Sequence, residues 1–324
     1  MSNILYMIVP CYNEEEVLPE TAQRLREKYT YLISNRMVDA ESKIVFVNDG
    51  SKDRTWELIE QLHASDSIFS GINLSRNKGH QNAVLAGLMV AKDYCDMAIT
   101  MDADLQDDIN AIDGMLEKYF EGNDVVYGVR SSRETDTFFK RFTAEGFYKF
   151  MKMMGVDIVF NHADFRLMSS RVLDALSQYG EVNLFIRGII PEIGFKSENV
   201  YYKRYERFAG ESKYPLKKMI SFAVDGITSF SVKPLRIITN IGMILFVISI
   251  LAFLWVFIGG LTRQTETGWP SMMCSLWALG GLQIFFLGII GEYVGKIYFE
   301  AKKRPRFIIK DILLDQKDLC AKEG

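Results

Sequence analysis

The sequence predicts an α/β domain with a mostly parallel sheet, followed by an interfacial amphipathic helix and two membrane-spanning helices. Three observations carry this expectation. Over residues 1–195, short β-branched runs alternate with longer helical patterns, the signature of βα units. Two long apolar stretches without a charge follow. Charge is also divided: residues 1–195 hold 20 Lys+Arg against 30 Asp+Glu, net −10. Residues 196–236 hold nine against four, net +5, and residues 292–310 six against two, net +4. An acidic front joined to an apolar back with basic flanks is the layout of a membrane-attached chain.

Composition narrows the class further. Of 324 residues, 48% are hydrophobic and 24% charged, which excludes a disordered or collagen-like chain. The four cysteines (Cys11, Cys95, Cys274, Cys320) and three histidines are scattered, with no CxxC and no HExxH. A zinc site or a disulfide framework is therefore not expected, and free thiols are.

The strands are expected at Ile4–Val9, Ile44–Asn48, Gly71–Leu74, Met97–Met101 and Asp124–Val129. Helical patterns fill the gaps at Glu14–Ile33, Asp53–Ala64, Asn77–Lys92 and Ile109–Phe120. Ile4–Val9 is a six-residue apolar run ending at Pro10, too short for the core of a signal peptide. Residues 1–212 form the expected α/β domain and residues 213–232 a juxtamembrane helix. There Leu216, Ile220, Ala223, Ile227 and Phe230 recur at helical spacing, with Lys217 and Lys218 on other faces. Such a helix is expected to lie in the bilayer interface. Residues 233–293 form a hairpin of two spans, Ile237–Gly260 and Trp269–Gly291, each uncharged. At about 1.5 Å per residue, either crosses a hydrocarbon core of about 30 Å. Lys217, Lys218, Lys233 and Arg236 precede the hairpin, and Lys296, Lys302, Lys303, Arg304 and Arg306 follow it, while its loop holds only Arg263. The Lys/Arg bias puts both flanks, and so both termini, in the cytoplasm. Residues 294–324 remain as a basic tail.

In open α/β sheets, ligands bind beyond the carboxyl ends of the strands. Pro10-Cys11-Tyr12-Asn13-Glu14 follows the first run, Asn48-Asp49-Gly50-Ser51-Lys52-Asp53 the second and Asp102-Ala103-Asp104-Leu105-Gln106-Asp107 the fourth. Like charges gathered on one rim are costly without a compensating cation or ligand. Asp102 and Asp104 can aim oxygens at one hard ion, Mg²⁺ or Mn²⁺, which completes its shell with phosphate and water. A bland reading of the second motif, a turn with Ser51 or Asp53 capping the next helix, stays open. The chain has neither GxxxxGK[ST] nor GxGxxG, so P-loop and dinucleotide readings lack support.

The segments IVPCYNEEE, VFVNDGSKDRT, LSRNKGHQNAVLAGL and MDADLQD resemble family 2 glycosyltransferases of the GT-A, Rossmann-like fold. NHADFRLMSSRV and RFAGESKYPLKKMISFAVDGITSFSVKPLR resemble the polyisoprenyl-phosphate branch, which holds dolichol-phosphate mannose synthase and bactoprenol glucosyltransferases. The resemblance covers roughly residues 4–300. It implies that Pro10, Tyr12 and Glu14 hold the nucleotide, that Asp49 reads its base edge, and that Asp102, Asp104 and Gln106 form the metal and diphosphate motif. It implies an acceptor-site or catalytic role for Asp164, a donor-diphosphate contact for Arg207, and a lipid-phosphate grip for Arg130 with Lys140 or Arg141. A lipid monophosphate has a second pKa near about 6, so it hardly needs a general base. Asp164 is therefore expected to position the donor sugar, or counter a basic neighbour, more than to remove a proton.

The resemblance implies inverting, metal-dependent transfer of a hexose from a UDP-sugar to undecaprenyl phosphate at the cytoplasmic face of a bacterial plasma membrane. UDP-glucose is the expected donor, with UDP-N-acetylglucosamine and GDP-mannose as alternatives. A homo-oligomer such as a tetramer is implied as well. A non-catalytic, membrane-anchored nucleotide-binding subunit would have lost the metal carboxylates or Asp164, and all are present. Processive polysaccharide synthases carry a QxxRW motif and more spans, which this chain lacks. His80 and His162 are expected to have structural or substrate-orienting roles. The aromatics of residues 138–150 suggest no nucleic-acid surface in so acidic a half.

Overall fold

The computed structural model describes residues 3–131, 162–181, 186–203, 231, 233–261 and 268–314. These fall into two compact units, residues 231–303 forming one and the remainder the other.

The larger unit is built on one eight-stranded sheet with the order β7-β5-β6-β4-β1-β2-β3-β8. Strand β1 (Leu5–Cys11) is buried along its whole length, as are β2 (Lys43–Asn48), β3 (Phe69–Leu74) and β4 (Met97–Thr100). These four run parallel, as expected of near-continuous apolar strands covered on both faces. β5 (Val125–Arg130) pairs in parallel with β7 (Ser197–Tyr202). β6 (His162–Ser169) runs antiparallel to both β4 and β5. β8 (Ile309–Leu313) closes the other edge antiparallel to β3.

Helices cover both faces. On one, α1 (Leu18–Ser34) and α4 (Ala111–Phe120) bury Leu25, Tyr29, Ile112 and Met115 against Met7, Val9 and Ile99. On the other lies α3 (His80–Ala91), close to the sheet at Gly87, where a Cβ would meet Ile8 and stand 2.9 Å from Val47. α2 (Thr55–Ser65) follows β2, while α5 (Ser170–Ser177) and α6 (Ile186–Ile193) follow β6. Ser169 caps α5, its hydroxyl accepting the Val172 N–H at 3.4 Å.

The five expected strands and four expected helices of this unit are present within a few residues of their predicted ends. Strands β6, β7 and β8 were not anticipated. β6 interrupts its apolar pattern with Asp164 and Arg166, β7 is largely exposed, and β8 lies inside the expected basic tail. Because the order runs β3-β2-β1-β4, it reverses between β1 and β4, the kind of switch point beside which open α/β sheets bind ligands.

The second unit contains α7 (Lys233–Leu261, 29 residues) and α8 (Trp269–Lys302, 34 residues). The Tyr293 hydroxyl donates to the Ser231 carbonyl at 2.5 Å, tying α8 to the residues before α7. α8 runs past the expected boundary at residue 293. Both helices expose large apolar side chains, among them Met243, Ile244, Leu276, Phe285, Leu287 and Ile284, the last 73% exposed. Among the described residues, one segment, Leu279–Lys302, is long and apolar enough to cross a membrane. The expected interfacial helix at residues 215–231 lies outside the described residues except for Ser231.

Candidate active site

The loops after β1 and β2 are knitted together by hydrogen bonds between backbone and neutral or carboxylate side chains. Asn13, in the left-handed region at φ 53°, donates its N–H to Ser51 Oγ at 2.9 Å, and its Oδ1 accepts the Lys52 N–H at 2.9 Å. The Glu14 N–H reaches Thr55 Oγ1 at 2.9 Å, and Asp53 accepts both the N–H and the hydroxyl of Thr55. Pro10 is buried within β1, whereas Tyr12 and Glu14 are half-buried at the rim.

Asp49 is buried, and its two oxygens accept the Lys78 and Gly79 N–H groups at 2.7 and 2.9 Å. Burial raises its pKa, and those two bonds only partly offset the rise. Here Asp49 fastens the loop between β3 and α3. Gly50 completes that fastening: its φ is +64°, and a Cβ would stand 2.5 Å from the Arg76 carbonyl carbon and the Asn77 nitrogen.

After β4 the chemistry becomes ionic. Asp102 Oδ1 meets His80 Nε2 at 2.8 Å, with both side chains about two-fifths exposed. Burial lowers the His80 pKa, but the Asp102 carboxylate, its hydrogen bond and Asp164 outweigh burial and raise it to about 9. Burial raises the Asp102 pKa, yet His80 prevails and lowers it. Asp104 and buried Gln106 lie further along this loop, with Asp104 Oδ1 accepting the Gln106 N–H at 3.2 Å. Asp107 accepts the Tyr202 hydroxyl at 2.5 Å and lies 3.5 Å from Arg130 Nη2. Burial and Asp102 push its pKa up to about 6 against the pull of Arg130.

Asp164 comes from β6. The Thr100 hydroxyl donates to its carbonyl. Arg187, on α6, grips the carboxylate with two bonds, Nε to Oδ1 at 2.9 Å and Nη2 to Oδ2 at 2.8 Å. Arg166 Nη2 adds a third at 2.5 Å. Burial raises the Asp164 pKa, but Arg187 and Arg166 overwhelm that and hold it well below the usual carboxylate range. His80 Nδ1 lies 3.9 Å from Asp164 Oδ2, so a continuous chain of charges runs from Asp102 through His80 and Asp164 to the two arginines.

The structure therefore brings Tyr12, Glu14, Asp49, Asp102, Asp104, Gln106, Arg130 and Asp164 to one end of the sheet, with Pro10 inside β1. Arg207, Lys140 and Arg141 lie outside the described residues. Sequence reasoning gave His80 a structural or substrate-orienting role and did not single out Arg187, Arg166, Asp107 or Tyr202. Arg166 stood within the quoted DFR segment, whereas no spacing or motif marks Arg187.

Among the described residues, no group of three or more His, Cys, Asp and Glu side chains is arranged to hold a metal ion unaided. Two part-exposed carboxylates and a carboxamide suit a hard cation that takes its remaining ligands from diphosphate oxygens and water. They do not suit a closed protein cage.

The family model described as glycosyl transferase family 2 matches residues 6–177, and that described as the GtrB C-terminal hairpin matches residues 233–297. An uncharacterized glycosyltransferase of Bacillus subtilis, YkoT, is 54% identical over 94% of this chain and 91% of its own. The bactoprenol glucosyl transferase of Shigella phage SfV is 41% identical over 94% of this chain and 97% of its own. Among solved structures, the mannosyltransferase PcManGT from Pyrobaculum calidifontis, in complex with GDP-Man and Mn²⁺, is 13% identical. That likeness covers 91% of this chain and 88% of the other, with a TM-score of 0.47.

Proposed function

We infer the reaction from a plain premise: the chain belongs to glycosyltransferase family 2 and is a glycosyltransferase. Its larger unit has that family's GT-A fold, a Rossmann-like α/β arrangement on a mostly parallel sheet. The proposed reaction is inverting, metal-dependent transfer of glucose from UDP-glucose to undecaprenyl phosphate, at the cytoplasmic face of a bacterial plasma membrane. The observation that carries it is the run of contacts from Asp102 through His80 to clamped Asp164, with Asp104 on the same loop as Asp102, in a protein whose bactoprenol glucosyl transferase relative aligns along nearly its whole length.

In this reading Pro10, Tyr12 and Glu14 shape the nucleotide cradle, and Asp49 sets the loop that borders it. Asp102, Asp104 and Gln106 would hold Mg²⁺ or Mn²⁺. When bound, that ion supplies positive charge to the leaving diphosphate. Asp164 stays ionised between its arginines and presents a fixed negative charge to the sugar. It takes no proton, because the acceptor phosphate is already largely dianionic above its second pKa of about 6. Arg130, with Lys140 or Arg141, receives the lipid phosphate, and Arg207 reaches the donor diphosphate. Attack from the face opposite the leaving group inverts C1.

α7 and α8 act as a two-span hairpin, with the interfacial helix holding the catalytic unit at the head-group layer and both termini cytoplasmic. Their exposed apolar side chains support that reading. Assembly as a homo-oligomer is part of the proposal. Membranes containing the protein, incubated with undecaprenyl phosphate, Mg²⁺ and labelled UDP-glucose, UDP-N-acetylglucosamine or GDP-mannose, test it. Label should enter the lipid fraction from UDP-glucose. Entry from another donor alone, or into no polyprenyl product, sinks the assignment.

A further inference from the structure

We propose that Arg187 is a positioning residue for sugar transfer, one that acts by holding both oxygens of Asp164 from α6. The inference rests on the transferase reading of the site and deepens it. Arg187 Nε and Nη2 meet Asp164 Oδ1 and Oδ2 at 2.9 and 2.8 Å, a two-point grip that sets the plane of the carboxylate as well as its place.

Charge balance does not require this contact. Arg166, 2% exposed, already sits 2.5 Å from Asp164 and neutralises it from the interior. A second guanidinium beside the first adds repulsion and desolvation. Its side chain is 29% exposed, against 18% for Asp164, so it stands on the open side of the pair. What the second cation adds is orientation.

The perch of Arg187 is set by the active-site rim itself. The N–H of Ile186, the first residue of α6, donates to Gln81 Oε1 at 3.0 Å. Gln81 adjoins His80, whose ring meets Asp102 at 2.8 Å. The first two residues of α3 therefore register both the partner of Asp102 and the helix that carries Arg187. The separation between the metal-motif carboxylate and the sugar-facing carboxylate is fixed through that shared turn, and a displacement of about 1 Å in such a constellation is enough to cost about a hundredfold in rate.

The test uses the full-length protein in membranes, with whichever donor the wild type turns over. Arg187→Ala, Arg187→Lys, Asp164→Asn and the Arg187→Ala/Asp164→Asn double variant are compared for kcat and donor KM, with and without added guanidinium. Calorimetric UDP binding reports an intact nucleotide site. Arg187→Ala should lower kcat about a hundredfold with donor KM changed less than about threefold. Arg187→Lys, which keeps the charge but loses the fork, should recover only part of that loss. Guanidinium should restore Arg187→Ala about tenfold and leave Asp164→Asn unmoved. The double variant should be no slower than Asp164→Asn alone, since the pair acts as a unit. A near-wild-type kcat in Arg187→Ala, a loss confined to donor KM, or losses that multiply in the double variant would each overturn the proposal. If Arg187→Ala fails to accumulate, Arg187→Lys with its UDP binding decides the matter, and a wild-type kcat in it is equally fatal. A wild type that uses a different donor overturns the assigned substrate instead, and the variant ratios are then read with that donor.

Discussion

The two sides of the catalytic rim solve the same problem, polar groups gathered at strand ends, in opposite ways. After β1 and β2, the loops satisfy one another with local hydrogen bonds: Asn13 with Ser51 and Lys52, Glu14 with Thr55, and Asp49 with two backbone amides. After β4 and β6, charge meets charge: Asp102 with His80, Asp107 with Arg130, and Asp164 with Arg187 and Arg166. The first side is a finished cradle whose shape comes with folding. The second holds its charges in pairs, of which those at Asp102 and Asp164 form one continuous chain. In the proposed reaction the first side borders the nucleotide and the second faces the diphosphate and the acceptor phosphate.

Substitutions on the ionic side should therefore affect rate most. Asp104→Ala is expected to abolish transfer, by at least about a thousandfold, while the protein remains in the membrane fraction. Label incorporation and fractionation measured together check this, and undiminished product would move the metal site elsewhere. Asp164→Asn should lower kcat about a hundredfold and also destabilise the fold by about 3 kcal/mol or more, because Arg166 is left buried without its counter-ion. The rate should not return as pH rises above about 6, the second pKa of the acceptor phosphate. Recovery there would make Asp164 the proton acceptor after all.

A pH titration of stability sharpens the comparison. His80 has a folded pKa of about 9, above its unfolded value of about 6.5. The stability from its pairing is fully present below about 6.5 and is lost as pH rises through about 9. In chelator-containing buffer the wild-type melting temperature should fall over that window, and in His80→Gln the fall should flatten. Equal slopes in the two proteins would remove His80 from the ionic chain. The smallest effect belongs to the cradle. Asn13→Ala deletes one side-chain bond and puts alanine in the left-handed region, so it should cost about 2 kcal/mol in stability, with kcat nearly unchanged. A hundredfold loss of kcat in that variant would erase the distinction between the two sides.

Much of this was legible before any coordinates. β1 to β4 are buried apolar runs, and the first, second and fourth close on a polar motif, so strand ends and candidate ligands could be read together. Asp102 and Asp104 declared themselves by spacing, and Asp164 by its resemblance to a family motif. β6 was hidden because Asp164 and Arg166 break its apolar pattern, and β8 because a short edge strand needs only five residues, Ile309–Leu313, within a basic tail. Arg187 was invisible for a different reason: its partner lies 23 residues away on another element, and nothing in local spacing ties a helix start to a strand.

Local rules of burial and periodicity act within a few residues, so the amino-acid sequence by itself determined the α/β alternation, the acidic rim and the apolar back half. Which charges face one another depends on how strands are ordered and how helices are set upon them. Only the tertiary structure could decide that His80 takes Asp102, that Asp49 turns to the loop before α3, and that Asp164 is locked as an anion. The energy of an ion pair depends on distance and burial, and both are properties of the folded chain.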